Sequence, residues 1–107
     1  MKLRVIYKGK YKAGILWRDE TGYHFQYDDE FILDENSFPI SVNMPKSQNK
    51  YNSDRLFAIF QSMLSEGYNR ELQCKALGID ANDDWNLLIN TCEKDTIGAL
   101  TITKHES

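Results

Sequence analysis

The sequence has few of the residues that most often build catalytic and metal sites. Its 107 residues include two histidines and two cysteines. His24 and His105 are far apart in the chain, and Cys74 and Cys92 lack the close spacing of a redox or zinc motif. We predict that both cysteines are buried structural thiols and that His24 is an exposed strand residue. We therefore expect no catalytic residue, no cofactor and no metal ion.

Long apolar runs and phosphate-binding glycine loops are also missing. The sequence contains no run of about 18 consecutive apolar residues that could span a bilayer, and residues 1–20 lack the apolar run of a signal peptide. We therefore expect a cytoplasmic protein. Gly9 and Gly14 are too widely spaced for a nucleotide loop and lie among strand-forming residues. At 107 residues the chain is about one domain long, which is too short for a two-lobed phosphotransferase. We expect a single domain, residues 1–107, that is not an enzyme and acts by binding.

The charges are unevenly distributed along the chain. The net charge is −3, yet six basic residues and no acid precede Asp19, whereas the segment from Asp19 to Glu35 contains seven acids and no base. The basic residues are Lys2, Arg4, Lys8, Lys10, Lys12 and Arg18. We interpret them as the solvated faces and turns of one sheet, where edge lysines oppose aggregation. The alternative, a basic patch for nucleic acid, is disfavoured by the sequence pI near 5.3.

The first third of the chain has the pattern of strands. Residues 3–7 and 11–17 predict a hairpin in which Gly9 supplies the turn. Residues 23–27 alternate, which predicts a third strand with Tyr23, Phe25 and Tyr27 on one face and His24 opposite. We expect residues 31–33 to cover the open end of this meander. Residues 39–42 predict a short edge strand, and residues 42–53 a polar connection.

The hydrophobic period then changes to that of helices. Ser53 is a good N-cap for a first helix running to about Leu64. Its apolar stripe comprises Leu56, Phe57, Phe60, Met63 and Leu64. A second helix is predicted from Tyr68 to a stop at Gly78, a third from Asn82 or Asp83, and a last strand over residues 98–103. This order indicates an α+β fold, with a mainly antiparallel sheet of four to five strands and about three helices packed on one face.

The junction between the first two predicted helices is a candidate binding segment. It combines an apolar helix end, a glycine break and an aromatic residue, a composition that suits a protruding contact. The candidate partner-binding residues are Met63, Leu64, Ser65, Glu66 and Tyr68. The alternative is that these side chains only join two helices to the domain core.

Several stretches, in their order and spacing, resemble the N-terminal coupling subdomain of HipA-type protein kinases. They are Val5–Leu16, Tyr23–Tyr27, Pro39–Pro45, Leu56–Gly67, Leu77–Ile79, Asp83–Leu88 and Ile97–Leu100. The sequence departs from the family at two places. Ser65 stands where the family usually has the proline of a Leu-Pro-Glu-Gly run, and residues 91–95 replace a glycine-rich segment. Different loop shapes are expected at both.

The resemblance implies a function in a toxin-antitoxin system. In full-length members the subdomain packs on the kinase body, and a separate copy is similar to HipS, the small component of split HipB, HipS and HipT systems. The resemblance thus implies an antitoxin that docks on a HipT-like serine/threonine kinase toxin and blocks its active site. It implies a HipB-like DNA-binding protein in a ternary complex, with no direct contact to nucleic acid or membrane. Alternatives are a non-inhibitory structural or activating subunit, direct nucleic-acid binding and, least favoured, a small enzyme.

Overall fold

Six strands form one antiparallel sheet in which the first and last strands are neighbours. The computed structural model describes residues 2–64, 67–91, 96–97 and 100–105. The strands are β1 (Lys2–Tyr7), β2 (Tyr11–Asp19), β3 (Gly22–Tyr27), β4 (Lys50–Ser53), β5 (Thr96–Ile97) and β6 (Leu100–His105). The helices are α1 (Asp29–Leu33), α2 (Ala58–Gln61), α3 (Gly67–Leu77) and α4 (Asp84–Thr91). The sheet order is β4-β3-β2-β1-β6-β5, which confirms the predicted α+β fold class.

The β1–β2 hairpin forms where the sequence predicts it. Lys8 and Gly9 both have positive φ, 54° and 66°, the backbone that the two central residues of a type I′ turn require, and the Lys10 amide donates to the Tyr7 carbonyl at 3.2 Å. Within β2, Gly14 allows β2 and β3 to approach closely. A Cβ atom at this position would lie 2.2 Å from the Gln26 carbonyl oxygen, closer than such atoms can come. The glycines of this region therefore serve the geometry of the sheet.

Alternation along the strands gives the sheet two unlike faces. On the inner face Leu3, Val5, Leu16, Phe25 and Ile102 are fully buried. On the outer face the alternate residues are mostly polar and, apart from the buried His24, exposed or half-buried; they include Lys2, Arg4, Lys12, Ile15, Trp17, Gln26, Lys50 and Asn52. Because side chains in a strand point alternately to either face, the sheet separates a hydrophobic core from a charged surface.

The helices cover the inner face. Phe60 of α2 and Trp85 of α4 place their rings 5.9 Å from those of Phe25 and Tyr23, respectively. Cys74 of α3 is buried in the same core cluster, as predicted, whereas Cys92 lies outside the described residues. The helices are thus stabilised mainly by burying apolar side chains against the sheet.

The C-terminus of α3 and the N-terminus of α4 are each set by a local signal. Gly78 has φ +70°, and the amides of Gly78 and Ile79 donate to the carbonyls of Lys75 and Cys74, which is a Schellman motif. The Asp83 carboxylate accepts from the Asn86 amide at 3.1 Å and caps α4. The second and third predicted helices are confirmed by these elements.

The middle of the chain differs from the prediction. Residues 39–42 form no strand; the fourth strand is β4, which ends the segment we interpreted as a polar connection. The helix predicted from Ser53 is shorter, because Ser53 lies in β4 and Phe57 has an extended backbone with ψ 143°. Only Ala58–Gln61 is helical. Because Ser53 pairs with Tyr23 of β3, it belongs to the sheet and does not cap a helix.

Tyr27 anchors the connection between α1 and β4. Its hydroxyl donates to the Met44 carbonyl at 2.5 Å and accepts from the Ile40 amide at 3.1 Å. Burial raises the pKa of Tyr27 to about 12, so the phenol stays protonated and can fill both roles at neutral pH. The Lys46 ammonium further donates to the Asp34 and Ser37 carbonyls. This connection is therefore tied to the sheet despite having little secondary structure.

His24 is buried, with 8 % of its surface exposed, so its prediction as an exposed residue was wrong. Its Nε2 lies 2.8 Å from Asp19 Oδ1, and its Nδ1 lies 2.5 Å from Asn52 Oδ1. Thr21 Oγ1 also lies 2.8 Å from Nε2. Because both nitrogens face oxygen acceptors, the imidazolium, which donates from both sides, fits this site. His24 thereby links the β2–β3 turn to the edge strand β4.

The same hydrogen bonds set the charge of the pair. The Asn52 amide oxygen and then the Asp19 carboxylate raise the pKa of His24 above 6.5. Hydrogen bonds from Thr21 and His24 lower the pKa of Asp19 below its usual value. Both groups are thus held in their charged forms, and the link is strongest when His24 is protonated.

We expect replacement of Tyr27 by Phe to destabilise the fold. The change removes the hydroxyl and leaves the buried Met44 carbonyl and Ile40 amide without their partner, at a cost of about 1–3 kcal/mol in the free energy of unfolding. Urea denaturation measures this loss. Tyr11→Phe is the matched control, since Tyr11 is 40 % exposed. Equal stability of the two variants would contradict the anchoring role.

We expect the stability of the domain to fall as pH rises through the pKa of His24. Since that pKa is raised in the folded state, the stabilisation is complete below the unfolded value near 6.5 and is lost above the folded value. Urea midpoints measured from about pH 6 to about pH 9 should decline in the wild type relative to His24→Gln. Parallel pH profiles for the two proteins would show that His24 does not titrate in this way.

Candidate partner-binding surfaces

A row of side chains crosses four strands on the outer face of the sheet. Lys2, Trp17, His24 and Asn52 are direct neighbours on β1, β2, β3 and β4. The Trp17 ring stacks on the His24 ring, with centroids 5.3 Å apart and planes 29° apart. Because the His24 ring is itself held from both sides, the indole has a fixed position on an exposed sheet face.

Two ammonium groups lie over the same indole. The Nζ atoms of Lys2 and Lys50 are 5.5 and 5.7 Å from the Trp17 ring centroid. This is the range of a cation–π contact, in which the ring attracts each cation. Trp17 therefore gathers two positive charges on the outer face, and these charges come from strands that lie on either side of β2 in the sheet.

A shallow depression of about 730 Å³ adjoins this row. Its lining includes the cations Lys2, Arg4 and Lys12 together with Ile15 and Trp17. The acids at the start of α1, Asp28, Asp29 and Glu30, also line it. The depression can accept a polar chain segment by charge and shape.

Arg4 and Asp28 fix one end of this depression. Arg4 Nη1 lies 3.0 and 2.8 Å from the two carboxylate oxygens of Asp28, with both side chains half-buried. The Asp28 amide in turn donates to the Ala13 carbonyl on β2. The ion pair therefore holds the start of α1 against β1 and β2. It also neutralises Arg4, whereas Lys2 and Lys12 form no ion pair within the described part of the chain.

Exposed apolar side chains mark a second surface, on the connection between α1 and β4. Leu33, Phe38 and Val42 are 79 %, 65 % and 94 % exposed. Tyr27 and Lys46 hold the same connection by hydrogen bonds to its backbone. Apolar side chains exposed on an anchored segment are typical of interaction sites. Leu33 belongs to the segment predicted to cover the sheet and Val42 to the predicted edge strand, whereas the sequence analysis assigns no role to Phe38.

The predicted binding segment lies on the helical side of the domain. Leu64 is buried in the core, and Met63 is half-buried and packs against it. Ser65 and Glu66 lie outside the described residues, and Tyr68 is in the first turn of α3. The segment is thus joined to the core through Leu64. Its role in partner binding stays a prediction.

No group of three or more His, Cys, Asp or Glu residues in the part of the chain that the structure describes is arranged to hold a metal ion. None of the described helices is long and apolar enough to cross a membrane.

Comparison with known proteins identifies the family. Residues 3–103 match the model of the HipA N-terminal domain. A solved structure, the "N-terminal domain of HipA toxin", superposes with a TM-score of 0.70 and 28 % sequence identity, covering 98 % of this chain and 92 % of that one. The resemblance proposed from the sequence is therefore confirmed in both sequence and fold.

Two curated relatives extend this comparison. An "Uncharacterized protein" of Haemophilus influenzae is 30 % identical over 93 residues, covering 87 % of this chain and 83 % of its own length. "Putative kinase Y4mE" of Sinorhizobium fredii is 30 % identical over 78 residues, 73 % of this chain but 18 % of that protein. The match in the larger protein thus covers a small part of it. The chain belongs to the HipA N-terminal domain family.

Proposed function

We propose that this chain is an antitoxin that binds a HipA-like serine/threonine kinase toxin and holds it inactive. The observation that carries the proposal is the match of residues 3–103 to the HipA N-terminal domain. This match supports a component of a HipA-related toxin-antitoxin system. It is a match to the N-terminal domain and not to a kinase catalytic domain, which is compatible with a non-enzymatic subunit.

The relative from Sinorhizobium suggests how such a domain meets a kinase. There the matching segment is part of a longer chain named as a kinase, of which the match covers 18 %. A domain embedded in a larger protein has a surface complementary to its neighbours. We infer that this chain uses the equivalent surface to dock on a HipT-like kinase, with a HipB-like DNA-binding protein completing a ternary complex.

Docking can inhibit a kinase without any chemistry by the inhibitor. A segment that occupies the nucleotide or substrate pocket excludes the ligand by competition. The segment from Met63 to Tyr68 is the candidate for this contact, because an apolar helix end precedes a glycine and an aromatic residue there. Its anchoring through the buried Leu64 gives the segment a fixed starting point on the core.

The test of this function is whether the chain relieves toxicity of its kinase. Growth of cells expressing the HipA-like kinase encoded beside this chain should be restored when the chain is co-expressed, and the two should co-purify. A stable complex with toxicity unchanged or increased would instead support a structural or activating subunit. Absence of any complex would exclude both.

We expect the double substitution Met63→Ala with Tyr68→Ala to weaken the complex. Truncating a binding hot spot costs about 2 kcal/mol or more in binding free energy, so the dissociation constant should rise about thirtyfold, and inhibition should be lost with it. Calorimetric titration and a phosphorylation assay measure the two effects. Tyr11→Ala, at an exposed aromatic residue of β2, is the control. Unchanged affinity and inhibition in a double variant that remains folded would remove this segment from the interface.

A further inference from the structure

We propose that the outer face of the sheet is a docking surface for an acidic segment of the partner kinase, which seats on Lys2, Lys12, Lys50 and Trp17. This inference rests on the proposed function and adds to it a surface and a chemistry. It concerns the opposite side of the sheet from the Met63–Tyr68 segment. Four observations on the described residues support it.

The first observation is the concentration of unpaired positive charge. Lys2, Lys12 and Lys50 share one face and lie in a chain whose net charge is −3, and within the described residues none of them has a carboxylate within ion-pair distance. All three are exposed. Uncompensated charges of one sign produce a local field that attracts the opposite charge.

The second observation is that two of these charges converge. The ammonium groups of Lys2 and Lys50 both lie over the Trp17 indole, although the residues come from β1 and β4. Like charges brought together repel each other, and an anion placed between them interacts favourably with both. A carboxylate is the anion of this size that a protein partner supplies.

The third observation is a preorganised aromatic centre. Trp17 is half-buried, and its ring is stacked on His24, whose nitrogens contact Asp19 and Asn52. A tryptophan fixed among polar neighbours loses little side-chain entropy on binding and is the residue type most often found at interface hot spots. The indole and Ile15 together supply an apolar floor beside the cations.

The fourth observation selects a polypeptide and not a nucleic acid. Proteins that bind single-stranded nucleic acids stack successive bases on a series of aromatic side chains, whereas the row formed by Lys2, Trp17, His24 and Asn52 offers one indole, which is stacked on His24. Asp28, Asp29 and Glu30 border the depression and would repel a continuous phosphate backbone. A peptide segment can place its acids over the lysines and keep them away from this border.

The test is a charge reversal with a matched control. The test variant, Lys2→Glu with Lys50→Glu, reverses the two converging charges. The control variant, Lys8→Glu with Lys75→Glu, makes the same change in net charge at two other exposed positions, in the first turn and on α3. Affinity for the HipA-like kinase encoded beside this chain is measured by calorimetric titration. The first pair should weaken binding about tenfold or more, and the control pair much less. Lys12→Glu, at an exposed position outside the indole contacts, provides a second variant that leaves the Trp17 cluster intact.

Salt dependence gives an independent readout. The affinity of the wild type should fall between about 0.05 M and about 0.3 M salt, and the variants with reversed charge on the sheet should show a weaker dependence. Equal affinity and equal salt dependence in the wild type and in folded Lys2, Lys50 and Lys12 variants would overturn the docking surface. A different result would also overturn it, in favour of nucleic acid. In that case the wild type binds a fluorescent single-stranded oligonucleotide, the charge reversal abolishes this binding, and the affinity for the kinase is unchanged.

The two proposals fail in different ways. If wild-type chain and kinase form a complex that the sheet variants do not weaken, the docking surface is wrong while the antitoxin function stands. If the complex forms and the sheet variants weaken it, but the wild type does not inhibit the kinase, the docking surface is supported and the antitoxin function is wrong. If no complex forms at all, both are wrong.

Discussion

The pairing of β1 with β6 is the interaction on which the rest of the sheet depends. β1 lies between β2 and β6, with Val5 opposite Gly14 on one side and Ile102 on the other. Val5 and Ile102 are fully buried, so this pairing is also the centre of the core. Because it joins residues from nearly opposite ends of the sequence, its formation requires closure of a long loop. β1 and β6 also lie near the two ends of the family match, which covers residues 3–103.

The register of the strands determines where the charges lie. The basic residues of β1 and β2 fall partly on outward positions, and Lys50 of β4 joins them because Gln26 and Lys50 are paired across β3 and β4. The acids that follow in the sequence fall in the β2–β3 turn and at the start of α1. An acidic protein thus carries a local basic face. We interpreted the early lysines as part of a solvated face of the sheet, which is correct for Lys2 and Lys12. That interpretation could not include Lys50, which comes later in the chain.

Elements fixed by local chemistry could be predicted from the sequence. The first hairpin depends on the turn at Gly9, α3 ends at Gly78 through backbone geometry that glycine favours, and Asp83 caps α4. Each of these signals lies within a few residues of its effect. The fold class followed from them, because strands, then helices, then a strand leave few antiparallel arrangements.

Elements fixed by distant contacts could not be predicted in the same way. β4 has the sequence Lys-Tyr-Asn-Ser, without apolar alternation, and it is a strand because it pairs with β3. His24 is buried because Asn52 of that strand contacts it. The candidate surface around Trp17 depends on both facts, so it was not visible in the sequence. The Met63–Tyr68 segment, by contrast, was singled out from local composition alone.

The position of the two candidate contacts constrains how one partner can reach both. The outer face lies on one side of the sheet, whereas Leu64 joins the Met63–Tyr68 segment to the core on the helical side. A flat partner surface cannot touch both sides of a sheet at once, so a partner that uses both must pass around an edge.

Strand β4 is such an edge, and residues 54–57 connect it directly to α2. Lys50 therefore lies on the edge strand that leads towards the helical side. A kinase that approaches this edge would contact the cations of the outer face, which contribute long-range attraction, and the helical side, where an occluding segment could act. In this arrangement the cations of the outer face contribute to affinity, whereas the Met63–Tyr68 segment contributes to both affinity and inhibition, because occlusion requires that segment to enter a pocket.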